Sequence, residues 1–312
     1  MSVWNSILEN AIFRGLDYLE NLFESKPWAF SATSCTKDRI TFNEIPDYRL
    51  SRHPERFTHF TALDLLQKEL SSFVRSTLLQ SLTPSTPSTM NYFLDCRLFP
   101  DDVDTTALGY AVLLEAQLVN KDEVLPIAEL VFGNVNTHEV VEVYIKPAED
   151  RKKNLVDACS CANALRLGYM LGQESKLEKT EKYVFEWLKS GKWKQGTIYY
   201  HSGFPFLYFC SNFVKTNQKV QKKFRSILTS AIENSLEDCK LPLDYAMVLL
   251  ALENLGIRDY SESISTVLLQ MQEEDGSWPA DAIWGNTHGV LFGGKAVSTI
   301  FIVGALVAAR GC

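Results

Sequence analysis

The sequence predicts an all-α protein, an (α/α) barrel toroid in which two concentric helix layers wrap one core. Three observations carry this. Helical segments of two kinds alternate: some apolar on nearly every face (107–119, 243–252, 296–309) and others amphipathic (178–190, 220–235). A helix apolar all round has to be buried on all sides, and an amphipathic one can cover it. A weak repeat accompanies the alternation. An amphipathic helix, a polar turn and a tryptophan recur at Leu19–Trp28, Phe185–Trp193 and Leu269–Trp278, and such units bury their apolar faces only by stacking on neighbours. Strand patterns are scarce, Val140–Tyr144 being the one decent candidate.

The elements follow in order. Trp4–Phe23 places Leu8, Ile12, Leu16, Leu19 and Leu22 on one helical face and stops at Ser25-Lys-Pro-Trp28. Residues 29–58 are irregular, with Pro46 and Pro54, and Phe60–Leu79 is a second helix. The Ser/Thr/Pro stretch 81–88 is a loop. A helix opens after Pro100 and runs through the apolar stretch Ala107–Val119. Ile127–Ile145 holds the strand candidate, and Asp150–Lys153 is a basic turn. Helices then cover Val156–Gly172, Glu178–Ser190, Gly203–Val214, Val220–Ser235, Leu243–Leu255, Ser261–Gln272 and Ala296–Ala309.

The chain has 312 residues, 46% of them hydrophobic, enough for a large core, and is expected to form a single toroid domain over 1–312. A net charge of −7 argues against a nucleic-acid partner. No apolar run reaches 18 residues, so no membrane span is expected. The start, Met1-Ser-Val-Trp-Asn-Ser, lacks a basic region followed by an apolar core, so no signal peptide is expected. Seven scattered cysteines suit free thiols in a reducing compartment, and a cytoplasmic location is the expectation.

Chemistry concentrates at Asp101, Asp102 and Asp104, followed by Thr105 and Thr106. Pro, then Asp and Thr, then an apolar run is how a helix begins, so these acids sit at a helix mouth. Aspartates there ordinarily cap free backbone N–H groups. Three in four residues are crowded, and crowded carboxyls raise one another's pKa until one holds a proton near neutral pH. From these residues alone, capping and proton chemistry stand side by side.

Gln272-Glu-Glu-Asp-Gly-Ser-Trp278 resembles the Gln-Trp motif of the terpenoid cyclase and prenyltransferase toroids. Asp102-Val-Asp-Thr-Thr106 resembles the Asp-x-Asp-Thr-Thr acid motif of single β-domain class II cyclases that make drimane-type sesquiterpenes. Val143–Arg151 leading into Val156–Leu165, then Gly196–Phe209, then Phe292–Ile300 are similar to the same group in the same order, over roughly residues 90–309. The chain departs from that group at Ile145-Lys146, usually Phe-Asp, and at Gly294-Lys295, usually Asn-Arg. The second change replaces a bidentate guanidinium by a point-charge ammonium.

The resemblance implies a protonation-initiated cyclase that turns farnesyl diphosphate into drimenyl or albicanyl diphosphate, with the diphosphate retained. It assigns proton donation to Asp104, tuned by Asp102 and Thr105. A helix N-terminus and hydroxyl donors stabilise the conjugate base, yet they also make the resting acid harder to keep protonated. The aromatic set Tyr199, Tyr200, Phe204, Phe206, Tyr208, Phe209, Trp278 and Trp284 suits a carbocation pocket, each ring face contributing about 0.5–2 kcal/mol. Tyr199, Tyr200, Phe204, Trp278 and Trp284 are the candidates for its wall, and core packing is the alternative for each. Lys295, after two glycines at a helix start, and Arg151 in the basic turn are candidates for the diphosphate. Mg²⁺ is expected to be held by the substrate's phosphates, its protein ligands unknown. In fungal relatives this domain type is often fused to a phosphatase; here a separate phosphatase is the expected partner. His201 and His288 read as hydrogen-bonded structural residues.

Two other readings compete. Asp157-Ala-Cys159 resembles the zinc segment of protein prenyltransferase β-subunits, with His288 as a third ligand. That leaves the acid motif unexplained, and zinc analysis separates the two. A toroid that binds an isoprenoid without turnover is the non-enzyme reading.

Overall fold

A computed structural model describes residues 3–26, 28–36, 38–42, 53–95, 99–145 and 154–310. Among these residues lie twelve α-helices: α1 Val3–Ser25, α2 Phe57–Leu66, α3 Ser72–Leu82, α4 Val103–Glu115, α5 Lys121–Phe132, α6 Ala158–Leu171, α7 Glu178–Lys189, α8 Phe204–Val214, α9 Gln218–Glu233, α10 Pro242–Asn254, α11 Ser261–Gln270 and α12 Lys295–Ala309. The all-apolar segments become the inner layer: α2, α4, α6, α8, α10 and α12 pack each against the next, and α12 closes back on α2. In α4 every residue from Val103 to Leu113 is buried. The amphipathic helices form the outer layer, each covering its inner neighbours; α9, for instance, buries a stripe of Val220, Phe224, Leu228, Ala231 and Ile232. The result is the expected (α/α) toroid.

Because an outer helix runs back between successive inner ones, the six inner helices point the same way. Their N-termini, where backbone N–H groups lack partners and the dipole is positive, gather at one end. Toward the other end, Arg166 of α6 is buried with Asp64 of α2, bidentate at 2.9 and 2.6 Å, and with Glu115 of α4 at 2.9 Å. Removing Arg166 would leave Asp64 buried and without its counter-ion.

Several elements differ from the sequence expectation. The predicted helix 60–79 is two helices, with Ser71 capping the second through Val74 N–H. Helix α5 was not foreseen: its charged first turn and Pro126 interrupt the apolar period, but Asn120 and Glu123 form a capping box. The candidate strand 140–144 makes isolated bridges, Val135 with Val141 and Asp102 with Tyr144. The actual sheet is elsewhere, with strands β1 Thr33–Cys35, β2 Asp281–Gly285 and β3 Leu291–Gly294 in the antiparallel order β1-β3-β2. It pairs residues some 260 positions apart, Thr33 opposite Gly293, and β3 leads directly into α12. Arg39 clamps it, bonding Asp281 at 3.0 and 2.8 Å and Asp244 of α10 at 2.8 Å.

The Gln-Trp segment is a structural tie. Gln272 Nε2 donates to Ala11 O and Gly276 O, both at 2.9 Å. Gly276 has φ +88°, and a Cβ there would meet Arg14 O at 2.5 Å, so glycine is required. Trp278 is fully buried, its Nε1 donating to Leu268 O at 2.7 Å.

Candidate active site

The acid stretch is held by its neighbours before α4 begins. Asp102 N–H donates to Met90 O at 3.0 Å, Val103 N–H to Val143 O at 2.8 Å and Ile145 N–H to Asp101 O at 2.8 Å. Thr106 Oγ1 accepts from Met90 N–H and donates to Asp102 O. Asp101 is tied to Thr89 Oγ1 at 2.5 Å. It stays out of the cavity wall. Asp102 is the N-cap of α4, its Oδ1 accepting from Thr105 N–H at 2.7 Å. Asp104 lies in the first turn and is buried.

Asp104 is fully engaged. Its Oδ1 accepts from Asn163 Nδ2 at 2.6 Å and its Oδ2 from the Tyr200 hydroxyl at 2.5 Å, and Ser160 is a further side-chain partner. Burial nevertheless pushes its carboxyl up from an aspartate's usual 3.8 to about 6, against the pull of Asn163 and Tyr200; repulsion from Asp157 adds to the rise. Burial likewise raises Asp102 to about 7, opposed by Thr105 N–H and assisted by the nearby charge of Asp104. Crowding within the motif, the cause expected from sequence, is therefore secondary to desolvation. Asp157 caps α6 through Cys159 N–H and Ser160 N–H, and its other oxygen accepts from Tyr199 N–H at 3.0 Å. One carboxylate thus docks the 197–200 turn, and with it Tyr200, beside Asp104.

Asp102, Asp104, Thr105, Ser160, Tyr199 and Tyr200 line a cavity of about 770 Å³, its open mouth included, at the N-terminal end of the inner helices. Its wall is chiefly aromatic: Phe57, Tyr92, Phe93, Phe99, Tyr144, Tyr199, Tyr200, Trp284 and Phe292. Trp284 Nε1 donates to the Tyr92 hydroxyl at 2.8 Å, and Tyr199 OH meets Tyr144 OH at 3.1 Å. Phe57 packs edge-on against Trp284, ring centroids 5.3 Å apart.

The structure brings Asp102, Asp104, Thr105, Tyr199, Tyr200 and Trp284 together on this wall. It moves three expected residues away. Trp278 is consumed by the tie between α11 and α1, and Phe204 is buried in the core; neither lines the cavity. Lys295 is turned to the surface, paired with Glu273 and with Asp275 at 3.3 Å. The two glycines before it belong to β3 and open no anion cradle to the cavity. Arg151 and its basic turn lie outside the described residues. Among the described wall residues none is Lys or Arg. Tyr200 proves a partner of the acid as much as a wall. Asn163 was missed altogether; its signal was a lone amide in an otherwise apolar helix, since a buried polar group must find a partner. Phe57, Tyr92, Phe93, Phe99 and Tyr144 were missed because an aromatic in a loop or at a helix start looks like core.

Among the described residues no set of three His, Cys, Asp or Glu side chains converges on a metal. Asp157 spends both oxygens on backbone N–H groups, and His288 sits exposed in the 286–290 turn, so the zinc set of the competing reading is not assembled. The cavity's described acids are held by groups of this chain, Asp102 by Thr105 N–H and Asp104 by Asn163 and the Tyr200 hydroxyl, and present no free pair of carboxylates to magnesium.

Residues 51–171 match the family model of the sesquiterpene cyclase astC-like C-terminal domain. Drimenol cyclase drtB of Aspergillus calidoustus is 29% identical over 226 residues, which are 70% of this chain and 41% of that protein. The chain therefore spans less than half the length of that relative. Among solved structures, a variant of the type II terpene cyclase MstE from Scytonema, in complex with its substrate geranylgeranyl dihydroxybenzoate, has a TM-score of 0.70 at 13% identity, covering 100% of this chain and 99% of that one. The ent-copalyl diphosphate synthase of Streptomyces platensis has a TM-score of 0.60 at 12% identity, covering 83% and 51%. The resemblance to class II terpene cyclases is borne out, and the toroid is the fold these enzymes share.

Proposed function

We propose that the protein is a class II terpene cyclase that converts farnesyl diphosphate into a bicyclic drimane-type diphosphate, drimenyl or albicanyl, without releasing the diphosphate. One observation carries the reading: Asp104 is a buried carboxyl, raised to about 6, on the wall of a chiefly aromatic cavity. In that setting the acid holds its proton to a higher pH than an exposed aspartate does, and the aromatic wall keeps water from the cation it makes. The π electrons of the substrate's terminal alkene take the Asp104 proton, leaving a tertiary cation. Two ring closures move the charge along the chain toward its diphosphate end, within a wall that carries the rings of Trp284, Tyr200 and Phe57. Loss of a proton then ends the sequence in an alkene. Asn163, Tyr200 and Ser160 hold the Asp104 carboxylate while the cation exists.

The diphosphate would lie at the cavity mouth, with magnesium held by its phosphate oxygens rather than by the wall acids; no step is routed through the metal. A drimane alcohol would require phosphatase action on that product. The buried free thiols Cys159, Cys161 and Cys210 suit a reducing cytoplasm. The test is incubation with farnesyl and geranylgeranyl diphosphates, each with and without added phosphatase, followed by mass spectrometry. The expected result is a drimane alcohol from farnesyl diphosphate in the phosphatase arm alone. Stoichiometric pyrophosphate release by the pure protein, or no consumption of either substrate, overturns the reading.

A further inference from the structure

We infer that Asp102, together with the Thr105 hydroxyl, takes the proton that ends the reaction Asp104 begins. The inference rests on the cyclase reading and adds to it the step that fixes the product's double bond. A cyclisation of this kind is a net isomerisation, so the site must recover one proton for each it gives. Asp104 is poorly placed to do so, because Asn163 and Tyr200 occupy its two oxygens. Other wall hydroxyls are also engaged: Tyr92 accepts from Trp284, and Tyr199 pairs with Tyr144.

Two side-chain oxygens on the described wall are buried and have no hydrogen-bond partner beyond each other, Asp102 Oδ2 and Thr105 Oγ1. They belong to neighbouring positions on the first turn of α4, where Asp102 Oδ1 is already fixed by Thr105 N–H at 2.7 Å. That bond sets the carboxyl's orientation and leaves the second oxygen with an unmet need for a proton or a donor. A buried polar atom with no outside partner is costly, so the pair marks a polar notch in an apolar wall. A carboxyl stabilised in its neutral form by burial is also a stronger base once ionised.

The electron count closes. At the start the Asp104 O–H bond breaks and a C–H bond forms at the alkene. At the end a C–H bond next to the final cation breaks, its electrons become the new alkene, and an O–H bond forms on Asp102 Oδ2. The pair then carries as many protons as before, and once the product has left, exchange with solvent water returns one proton to Asp104 and removes one from Asp102, so the site resets with no net reagent. The Thr105 hydroxyl donates to the waiting carboxylate and helps select which hydrogen is in reach.

The experiment compares products from farnesyl diphosphate for the wild type, Asp102→Asn, Thr105→Val and Asp104→Asn. Asn at 102 keeps the cap to Thr105 N–H but cannot accept a proton as a carboxylate does. Asp102→Asn is expected to lower substrate consumption by no more than about tenfold, well short of the 10²–10⁴-fold typical of losing an acid. Its product mix should shift, by a changed ratio of endocyclic to exocyclic alkene or by hydroxylated drimane from water capture. Thr105→Val should shift the ratio the same way by a smaller amount, and it retains the cap should Asp102→Asn fail to fold. An unchanged product ratio in either folded variant overturns the inference. So does loss of all consumption in folded Asp102→Asn, which would put Asp102 in initiation. Failure of the cyclase reading looks different: the wild type itself would consume no isoprenyl diphosphate.

Discussion

Replacing Asp104 with Asn should separate its chemistry from its cost to the fold. Burial lifts the Asp104 carboxyl from 3.8 to about 6. A raised carboxyl binds its proton more tightly folded than unfolded. Its contribution to stability is complete below about pH 4 and is lost as pH rises through 6. Roughly two pH units at about 1.36 kcal/mol each make this loss about 3 kcal/mol at pH 8. Asn has nearly the same shape and no charge to bury. Its carbonyl accepts from Tyr200, and its amide meets Asn163, whose Oδ1 has no partner and receives that N–H after a half-turn of the side chain. Asp104→Asn should therefore match the wild type near pH 4 and exceed it at pH 8. At about 2 °C per kcal/mol for a chain of this size, the excess is about 6 °C. Taking the difference between the two proteins cancels the carboxyls raised by burial away from this site, Glu55 and Asp281. Turnover of farnesyl diphosphate should fall by the upper end of the 10²–10⁴-fold range or more. Thermal melts across pH and product assays check both halves. More than about a tenth of wild-type rate, on that scale, removes Asp104 as the proton donor; a melting difference that does not grow with pH refutes its desolvated state.

Tyr200→Phe deletes a donor that lowers the Asp104 pKa. It should cut kcat about 10–100-fold, somewhat less than loss of an oxyanion donor, and move the alkaline limb of the pH–rate profile upward; a limb that stays in place contradicts this. Trp278→Ala should cost about 3–5 kcal/mol of stability and leave product identity unchanged, whereas an altered product would return Trp278 to the cavity. Lys295→Ala, breaking a half-exposed pair with Glu273 and Asp275, should change stability by no more than about 1 kcal/mol. It should leave KM for the diphosphate as it was; a KM raised by about an order of magnitude would restore Lys295 as a phosphate ligand.

The two layers were legible because burial on all sides and burial on one side leave different marks on a sequence. Helix α4 carries no charged residue between Asp104 and Glu115, whereas α9 alternates lysines with a single apolar stripe. The sheet was not legible. Its strands have three to five residues and find partners across nearly the whole chain, and no local period records such a pairing. Asp102 and Asp104 were legible through their motif, yet the state of Asp104 depends on Asn163, Tyr200 and Asp157, which lie 53 to 96 positions away. The misplacement of Lys295 and Trp278 has one source. Both lie beside glycines, and a glycine that permits a strand or a tight turn looks in sequence like one that admits a ligand.

The tension posed by the motif, an acid that must be held protonated yet leave a stable anion, resolves in the order of events. At rest the dominant influence on Asp104 is desolvation, which favours the neutral carboxyl. When the alkene takes the proton, the charge that appears on the carboxyl is met by groups already in place: Asn163 Nδ2, the Tyr200 hydroxyl, Ser160 and the first turn of α4. None of them must be recruited from water, so the anion is stabilised without reorganisation at the moment of transfer. The same donors contribute little to the resting acid, whose own proton occupies one of the positions they would fill. A surface carboxyl with identical partners would have ionised below pH 4 and held no proton to give. The placement of Asp104 inside the ring of inner helices, on the wall rather than at the rim, is what turns a helix-start aspartate into an acid.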